Sequence, residues 1–419
     1  MNESPAGGTK RLALQPWMHA PATEAVIAAL TAGGAEVRFV GGCVRDALLG
    51  RPVTDIDIAT PDEPKRVIEL LEAAGLKAVP TGIEHGTVTA VALHQPFEVT
   101  TLRRDVETYG RRAKVAFTDD WTADASRRDF TFNAMSCAPD GRLHDPFGGA
   151  ADLEARRVRF VGDAEARIRE DVLRLLRFFR FYAHYGAPPP DAEALAAVRI
   201  MAALLPTLSG ERVAAETFKL LAAPDPAPVL VLMRDSGVLP HFLPEAQRLE
   251  RLGHLTAIEG SLSLDAAPPR RLAAALGGGE PAARAVARRF RLSNVLSERV
   301  VQALGTPTPS PALAGTAQRA LRYRLSAEAF RDRCLLAWAG EREAGRDGTC
   351  DSGWRALAAL ADWTPPRFPI RAQDALEMGA APGPRLGKLM REMERWWIAG
   401  DFHAGRAQCL AELRRRLSL

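Results

Sequence analysis

The pattern of apolar and polar residues changes character once along the chain. In the first 160 residues, short apolar runs that predict strands lie between segments of helical periodicity; the runs are 38–40, 56–59, 88–93, 97–102 and 158–161. Runs of this length, bounded by glycine, proline and polar residues, are typical of strands. Residues 103–128 are polar and charged and predict a loop or a mobile segment. This part of the chain therefore predicts a small mixed α/β domain.

From about residue 163 onward the apolar residues follow helical spacing, with hardly any alternating run. One long helix is predicted over 163–185, and further helices follow it. Proline- and glycine-rich breaks at 265–281, 305–315 and 345–353 predict boundaries or surface loops. The pattern predicts an α/β head followed by an all-helical arm that ends in a basic helix.

Composition limits the class of protein without naming it. The chain has 419 residues, 47% of them hydrophobic, which is enough for a sizeable core and for about two to four domains. A net charge of +4 is compatible with nucleic acid as a partner. Five scattered cysteines without a CxxC pair argue against disulfides and a zinc site. With no signal-like segment and no apolar run of about 18 residues, we expect a cytoplasmic protein without a membrane span.

The stretch with the most chemical content is residues 39–60, FVGGCVRDALLGRPVTDIDIAT. Gly41 and Gly42 would let backbone N–H groups approach a large anion. On a strand, Asp55 and Asp57 would project from the same face while Ile56 enters the core. Two such carboxylates suit Mg²⁺, which shares its oxygen ligands with phosphate. The alternative is a strand end with two solvated acids after a glycine turn.

Residues 124–135, DASRRDFTFNAM, carry the adjacent Arg127 and Arg128. A guanidinium beside a triphosphate would make bidentate, charge-assisted contacts. The alternative is a structural ion pair between Arg128 and Asp129.

Residues 170–181, EDVLRLLRFFRF, place a charged stripe on the predicted long helix. Glu170, Arg174, Arg177 and Arg180 fall within roughly a 120° arc, with Asp171 at its edge. The alternative is a solvated face with a Glu170–Arg174 pair. Beside a nucleotide, Asp171 as acceptor and Arg174 as donor would match the pairing edges of cytosine and adenine and reject guanine and uracil.

Residues 211–219, ERVAAETFK, place Arg212, Glu216 and Lys219 on one helix face. Arg212 and Glu216 have the spacing of an ordinary salt bridge along a helix. We expect these residues to steady the preceding helix rather than to act in catalysis.

The order of these motifs resembles the class II nucleotidyltransferases, which comprise CCA-adding tRNA nucleotidyltransferases and bacterial poly(A) polymerases. The matching stretches are VGGCVRD and DIDIAT, TTLRRDVETYG, RRDFTFNAM, EDVLRLLRFFRF and ERVAAETFK. The likeness is strong over residues 36–222. TGIEHGTVT at 81–89 and DPFGGAADL at 145–153 look like the CCA-adding branch.

The resemblance implies an α+β protein: a small mixed-sheet, polymerase beta-like head followed by an all-helical neck, body and tail. The expected domains are the catalytic head at 1–162, the nucleotide-selecting neck at 163–222, the body at 223–350 and the tRNA-binding tail at 351–419. The implied activity is addition of the 3′-terminal CCA to tRNA from CTP and ATP, without a template and with release of pyrophosphate. The alternatives are a poly(A) polymerase, an enzyme that adds only A or only C, and an inactive RNA-binding protein.

The resemblance also implies a role for each candidate residue. Asp55 and Asp57 would bind two Mg²⁺ ions, one activating the tRNA 3′-hydroxyl and one steadying the triphosphate and pyrophosphate. The nucleotide would contact Gly41, Gly42, Arg45, Arg127, Arg128, Asp171, Arg174, Arg177 and Arg180. Glu170, Arg212 and Glu216 would support the structure. Residues 103–118, with Asp105 as a possible third acid, would form a flexible element that switches from C to A addition. The implied partners are the acceptor arm of tRNA, CTP and ATP, with no stable protein partner.

Overall fold

The computed structural model of the protein describes residues 11–109, 112–346 and 351–417, and the side chains of residues 105–115 fall outside the description. The chain divides into two compact units. The first comprises Met1–Leu220 with Leu232–Phe242, and the second comprises Leu221–Val231 with Leu243–Leu419.

The strands of the described chain lie in the first unit. They are β1 (Arg38–Val40), β2 (Asp57–Thr60), β3 (Lys77–Gly82), β4 (Thr87–Ala92), β5 (Gln95–Thr101), β6 (Arg103–Tyr109), β7 (Arg112–Phe117), β8 (Ser136–Cys137) and β9 (Leu143–His144). Seven of them form a mixed sheet in the order β3-β4-β5-β2-β1-β8-β9, while β6 and β7 form a separate antiparallel hairpin. β2 and β5 run parallel, which brings Asp57 level with Glu98.

Five helices belong to the sheet-containing head: α1 (Pro21–Thr31), α2 (Gly42–Leu48), α3 (Pro64–Ala73), α4 (Trp121–Ser126) and α5 (Gly149–Glu154). Phe39 and Ile58 on neighbouring strands of the sheet are fully buried, as are Val26 and Leu30 of α1. The carboxylate of Asp120 caps α4 by accepting from the N–H groups of Thr122 at 2.8 Å and Ala123 at 3.1 Å.

The helices that follow the head are α6 (Ala164–Glu170), α7 (Leu173–Tyr185), α8 (Ala192–Met201), α9 (Gly210–Leu221) and α10 (Ala227–Asp235). An aromatic cluster joins α7 to the head. The ring of Phe130 lies 4.8 Å from Phe160 and 5.2 Å from Phe181 of α7, centroid to centroid. Because large buried rings contribute much apolar area, this cluster fixes where α7 lies relative to the head.

The second unit is helical throughout its described residues: α11 (Leu249–Ser261), α12 (Pro268–Ala275), α13 (Gly279–Arg289), α14 (Asn294–Ala303), α15 (Gly315–Arg324), α16 (Ala327–Glu343), α17 (Asp351–Ala359), α18 (Ala372–Glu377), α19 (Pro384–Ala399) and α20 (Arg406–Leu417). Trp338 is buried in α16, and Trp397 of α19 packs with Met393, Cys409 and Leu413. Short 3₁₀ helices occur in the chain at Pro16–His19, Ile83–His85, Thr131–Asn133, Ala202–Thr207, Leu239–His241 and Leu360–Asp362.

The predicted fold class is confirmed, since a mixed-sheet head precedes a long helical region. The three boundaries between the four predicted domains remain a prediction. Among the described residues, no helix is both long enough and apolar enough to cross a membrane.

The prediction of one long helix over 163–185 is wrong. The helix breaks between α6 and α7, where Asp171 has an extended backbone with φ −149° and ψ 106°. The Asp171 carboxylate accepts from the N–H of Leu173, the first residue of α7, at 3.1 Å. A short acidic side chain that bonds to a nearby backbone group competes with helical hydrogen bonds, which explains the break.

The prediction of a loop over 103–128 is also wrong. The backbones of β6 and β7 pair from Arg103↔Phe117 to Tyr109↔Arg112, and α4 follows. A hairpin outside the main sheet need not show the apolar alternation that marks a half-buried strand. Asp105 belongs to this hairpin, but its side chain lies outside the described part.

Smaller errors concern the edges of the sheet. The run at 158–161 forms only a single bridge, Phe130↔Phe160. The predictions missed β3, β8 and β9; β8 and β9 have two residues each. Segments this short carry too few positions to show a period of two.

A first prediction concerns Gly149, where α5 meets the 3₁₀ turn Thr131–Asn133. A Cβ on Gly149 would lie 2.3 Å from the carbonyl oxygen of Thr131. We expect Gly149→Ala to lower the free energy of unfolding by about 2–3 kcal/mol, because this backbone overlap forces the two segments apart. Chemical denaturation measures the change.

The matched control is Gly340→Ala in the interior of α16, where an added Cβ meets nothing within 4 Å. Removing a glycine from a helix interior stabilises by about 0.5–1 kcal/mol. Equal stability changes in the two variants would contradict the packing described for Gly149.

Candidate active site

A cleft of about 570 Å³ opens in the first unit where the glycine turn, α4, the 3₁₀ turn Thr131–Asn133 and α7 come together. Its lining residues are Gly41, Gly42, Arg45, Asp57, Arg103, Arg127, Arg128, Asp129, Asn133, Asp171, Leu173, Arg174, Arg177, Phe181 and Arg212. Seven arginines face three aspartates in this lining. The excess of positive charge suits a polyanionic ligand.

The glycine turn lets charged side chains approach the backbone closely. Gly41 has φ +71°, a conformation that favours glycine, and α2 starts at the next residue. A Cβ on Gly41 would lie 3.3 Å from Nη1 of Arg128 and 3.9 Å from Oδ2 of Asp57. The turn thus places one cleft arginine and one carboxylate beside the same backbone atom.

The carboxylates of Asp55 and Asp57 flank the buried Ile56, as predicted. β2 begins at Asp57, so Asp55 lies just before the strand, where it accepts from the Thr54 hydroxyl at 3.3 Å. Burial, and then the negative charges of Glu98 and Asp55, raise the pKa of Asp57 to about 6 despite the nearby Arg128. Two negative groups beside a half-buried carboxylate make this corner a place where added positive charge would be stabilising.

Arg127 and Arg128 are held by one buried carboxylate. Nε of Arg127 lies 2.8 Å from Oδ1 of Asp124, and Nη2 of Arg128 lies 3.2 Å from Oδ2 of the same residue. Burial alone would raise the pKa of Asp124, but Arg127 and Arg128 hold it below its usual value. The alternative of an Arg128–Asp129 ion pair is wrong, because Asp129 pairs with Arg177 instead.

Asp129 and Asn133 form the floor of the cleft. Nε of Arg177 donates to Oδ2 of Asp129 at 2.6 Å, and Nδ2 of Asn133 donates to Oδ1 of Asp129 at 2.9 Å. Oδ1 of Asn133 accepts from Nη1 of Arg45 at 2.8 Å, while its backbone oxygen accepts from Arg128 at 3.4 Å. Asn133 therefore contacts two arginines from different elements, Arg45 through its side chain and Arg128 through its backbone oxygen.

Arg45 is fixed on its other side as well. Its Nε and Nη2 donate to the two carboxylate oxygens of Asp46 at 3.0 and 2.8 Å. The Tyr185 hydroxyl donates to Oδ1 of Asp46 at 3.0 Å, and the Arg45 guanidinium lies 4.4 Å from the centre of the Tyr185 ring. These contacts tie α2, which carries Arg45, to the end of α7.

Asp171 and Arg174 both line the cleft, at the break between α6 and α7. Nη2 of Arg212 donates to both Asp171 oxygens, at 3.0 and 2.7 Å. Arg174 donates to Oε2 of Glu170 at 2.5 Å and to the backbone oxygen of Arg127 at 2.8 Å. Both candidate base-reading side chains are thus held by neighbours, and the Glu170–Arg174 pair is present.

Arg177 and Arg180 have different positions, although both lie on the charged stripe. Arg177 lines the cleft, whereas Arg180 is absent from the described lining. Nε of Arg180 lies 3.1 Å from Oε2 of the buried Glu216, and its guanidinium lies 4.3 Å from the centre of the Phe181 ring. Arg212 and Glu216 therefore each bind a residue of the preceding helical segment, and the expected Arg212–Glu216 pair is wrong.

Sequence reasoning missed polar residues of this site: Arg103, Glu98, Asp124, Asn133 and Asp129, the last considered only as a structural partner of Arg128. Glu98 could have been found as an acid between Phe97 and Val99 on a strand. Asp124 precedes the arginine pair by three and four residues, which is helical spacing, whereas Asn133 follows it by five and six. Nothing in a single sequence tells that both side chains point inward.

The fold and the cleft define a nucleotidyltransferase head: paired carboxylates at a strand end beside an arginine-rich nucleotide-sized cleft. In agreement, residues 37–159 match the family described as Poly A polymerase head domain, and residues 190–249 match the one described as Probable RNA and SrmB- binding site of polymerase A.

Individual relatives and a solved structure identify the family within the nucleotidyltransferases. CCA tRNA nucleotidyltransferase 1, mitochondrial, of Mus musculus is 33% identical over 393 residues, which cover 91% of this chain and 87% of the relative. The CCA-adding enzyme of Geobacillus thermodenitrificans is 41% identical over 221 residues, covering 52% and 53% of the two chains. The crystal structure of the Bacillus stearothermophilus CCA-adding enzyme in complex with CTP superposes with a TM-score of 0.78 at 29% identity, covering 95% of this chain and 98% of that one. The chain belongs to the CCA tRNA nucleotidyltransferase family, which confirms the family predicted from the motifs.

A second prediction follows from the charge around Asp57. Because its pKa is raised from 3.8 to about 6 in the folded protein, ionised Asp57 reduces stability as the pH rises through this interval. In the presence of EDTA, Asp57→Asn should therefore raise the thermal midpoint relative to wild type at pH 8, with little difference at pH 4. Calorimetry at both pH values measures the difference, and a variant less stable than wild type at pH 8 would contradict the assignment.

Proposed function

We propose that this protein adds the 3′-terminal CCA to tRNA, using CTP and ATP and no nucleic-acid template, and releases pyrophosphate. The observation that carries the proposal is the arginine-rich cleft beside Asp55 and Asp57, in a chain similar over 91% of its length to a CCA tRNA nucleotidyltransferase. In the reaction, the 3′-hydroxyl oxygen of tRNA bonds to the α-phosphorus of the nucleotide and loses its proton to water. The bond between the α-phosphorus and the oxygen that bridges it to the β-phosphate breaks, and pyrophosphate leaves.

The carboxylate corner fits Mg²⁺. Asp55 and Asp57 offer hard oxygen ligands. Burial, and then the negative charges of Glu98 and Asp55, raise the pKa of Asp57, so a bound cation would be stabilised there. Among the described residues, no group of three or more His, Cys, Asp or Glu stands ready to enclose a metal. Mg²⁺ commonly takes one or two protein carboxylates and completes its shell with water and substrate phosphates. When bound there, it would lower the pKa of the attacking hydroxyl and offset charge on the leaving phosphates.

The cleft arginines supply the remaining positive charge. Arg45 and Arg128, both hydrogen-bonded to Asn133 and beside the glycine turn, are placed to bind the triphosphate, with Arg127 next to them. Guanidinium groups fixed before the substrate arrives need no reorganisation during the reaction, which is the source of electrostatic catalysis in phosphoryl transfer.

Base selection is assigned to Asp171 and Arg174. They line the same cleft as the arginines, and Arg212 and Glu170 fix their orientation. A carboxylate acceptor beside a guanidinium donor pairs with the amino and ring-nitrogen groups of cytosine and adenine. Guanine and uracil would leave buried polar groups unpaired, which strongly disfavours them. Arg177 lines the cleft beside these two residues. Arg180 supports α7 through its ion pair with Glu216 of α9.

The helical region would hold the tRNA. We retain the division into head, neck, body and tail at residues 162, 222 and 350, and assign RNA contacts to the arm through its basic helices. A cytoplasmic location without a stable protein partner also remains our proposal, although the mouse relative carries the name mitochondrial.

A third prediction is the direct test. Supplied with a tRNA transcript that lacks its 3′ end, the protein with Mg²⁺ should incorporate C from CTP, then A once CTP and ATP are present, and nothing from GTP or UTP. Denaturing gels resolve each added nucleotide. Long A tails on arbitrary RNA would indicate a poly(A) polymerase instead, and addition that stops at C or starts only at A would indicate a partial enzyme.

Asp55→Asn and Asp57→Asn serve as negative controls in the same assay. Loss of a metal-binding carboxylate should lower incorporation at least about a thousandfold. Unchanged rates in both variants would remove the carboxylates from the reaction centre.

A fourth prediction concerns selectivity. Arg174→Ala should reduce the preference for CTP over UTP by about tenfold to a hundredfold, while the KM for tRNA stays within about twofold. The matched control is Arg169→Ala on α6, an exposed arginine paired with Glu165. Unchanged discrimination by Arg174→Ala would reject the edge-reading role.

A further inference from the structure

Asp124 is a buried acid to which neither the sequence motifs nor the proposed reaction assigns a role. Its side chain is only 5% exposed, yet it binds three groups from two segments of the chain. The side chains of Arg127 and Arg128 are two of them. The third is the backbone N–H of Arg103, which donates to Oδ1 of Asp124 at 3.2 Å.

The Arg103 contact places Asp124 at the root of the β6–β7 hairpin. Arg103 is the first residue of β6 and lines the cleft. On the other strand, the N–H of Thr118 donates to the backbone oxygen of Leu102 at 3.0 Å, which closes the hairpin where it leaves the sheet. A single carboxylate therefore touches both the arginine pair and the point where the hairpin is attached.

The positive charges around Asp124 outnumber the negative one, which favours the binding of a nucleotide's phosphates. One carboxylate faces two guanidinium groups, so the group retains a net positive charge. The side chains of Arg127 and Arg128 remain 17% and 20% exposed toward the cleft. Asp124 thus fixes the direction of the two arginines without cancelling their attraction for phosphate.

The backbone of Arg127, one of the two arginines that Asp124 holds, also contacts Arg174. The carbonyl of Arg127 accepts from Nη2 of Arg174 at 2.8 Å, so the segment that carries the arginine pair also holds the candidate base-reading arginine. A shift of Arg127 would move a triphosphate contact and a base contact together.

We propose that Asp124 is a positioning residue that fixes Arg127 and Arg128 for triphosphate binding and anchors the root of the β6–β7 hairpin. This inference rests on the proposed function, because the arginines matter only if a nucleotide binds in the cleft. Wild-type incorporation of C and A is therefore established first, and its absence would reject the proposed function before Asp124 is tested.

Two variants separate the two contacts. Asp124→Asn keeps the shape and an oxygen that accepts from the Arg103 N–H, but it loses the negative charge that holds the arginines. Asp124→Ala loses both. The control is Asp119→Asn, the same chemical change at an exposed position just before α4. Circular dichroism and thermal melting establish that each variant folds before any rate is compared.

Steady-state kinetics test the arginine contact. We expect Asp124→Asn to raise the KM for CTP and for ATP about tenfold, the loss of roughly one charge-assisted contact. kcat should change less than about threefold, and the KM for tRNA should not change, since the variant disturbs nucleotide binding before the chemical step. Asp119→Asn should match wild type. An unchanged or lower nucleotide KM in Asp124→Asn would overturn the proposal.

Hydrogen exchange tests the hairpin contact. Peptides that begin at Arg103 should exchange faster than wild type in Asp124→Ala and as in wild type in Asp124→Asn. Wild-type exchange in both variants would overturn the anchoring role. If Asp124→Ala fails to fold, the kinetics of the isosteric Asp124→Asn decide the arginine contact, and Asp124→Ser replaces alanine in the exchange experiment.

Discussion

On the proposed function, the site depends on arginines that are fixed in direction without being neutralised. Each is held from behind by an acid or an amide: Arg45 by Asp46 and Asn133, and Arg177 by Asp129. A guanidinium is planar, has several donors and stays charged, so one edge can bind protein while another faces a ligand. A lysine could not serve both sides at once, because its charge is a single point. On the proposed function, the acids behind the cleft therefore belong to the nucleotide site as much as the arginines in front.

The break between α6 and α7 also fixes the direction of a charged side chain, here that of Asp171. In an unbroken helix, Asp171 would be an ordinary acid on the helix surface. Instead the helix is interrupted there, Asp171 lies in the break between α6 and α7, and Arg212 from α9 binds both of its oxygens. The loss of helical hydrogen bonds at this point is offset by contacts that place an acceptor and a donor side by side. On the proposed function, the interrupted helix is a local cost that places a base-selecting residue.

Much of the head could be predicted from sequence, and the reason is periodicity. Strands with a buried face and helices with an apolar stripe leave clear patterns, which located the sheet, the glycine turn and the flanked Ile56. The hairpin at 103–117 left no such pattern, because it stands outside the main sheet. The site was predicted as a set of residues but not as a set of pairs: Arg128 binds Asp124 rather than Asp129, and Glu216 binds Arg180 rather than Arg212. Partners across helices depend on tertiary packing, which a single sequence does not contain.

The aromatic cluster of Phe130, Phe160 and Phe181 has a consequence for accuracy. A polymerase that copies a template derives its fidelity from base pairing, which is the same in every copy of the enzyme. Here, on the proposed function, the base is selected by Asp171, just before α7, and by Arg174 on α7. The head that carries the carboxylates meets α7 through these rings. The accuracy of base selection then depends on how rigidly this aromatic cluster holds α7 at a constant distance from the head.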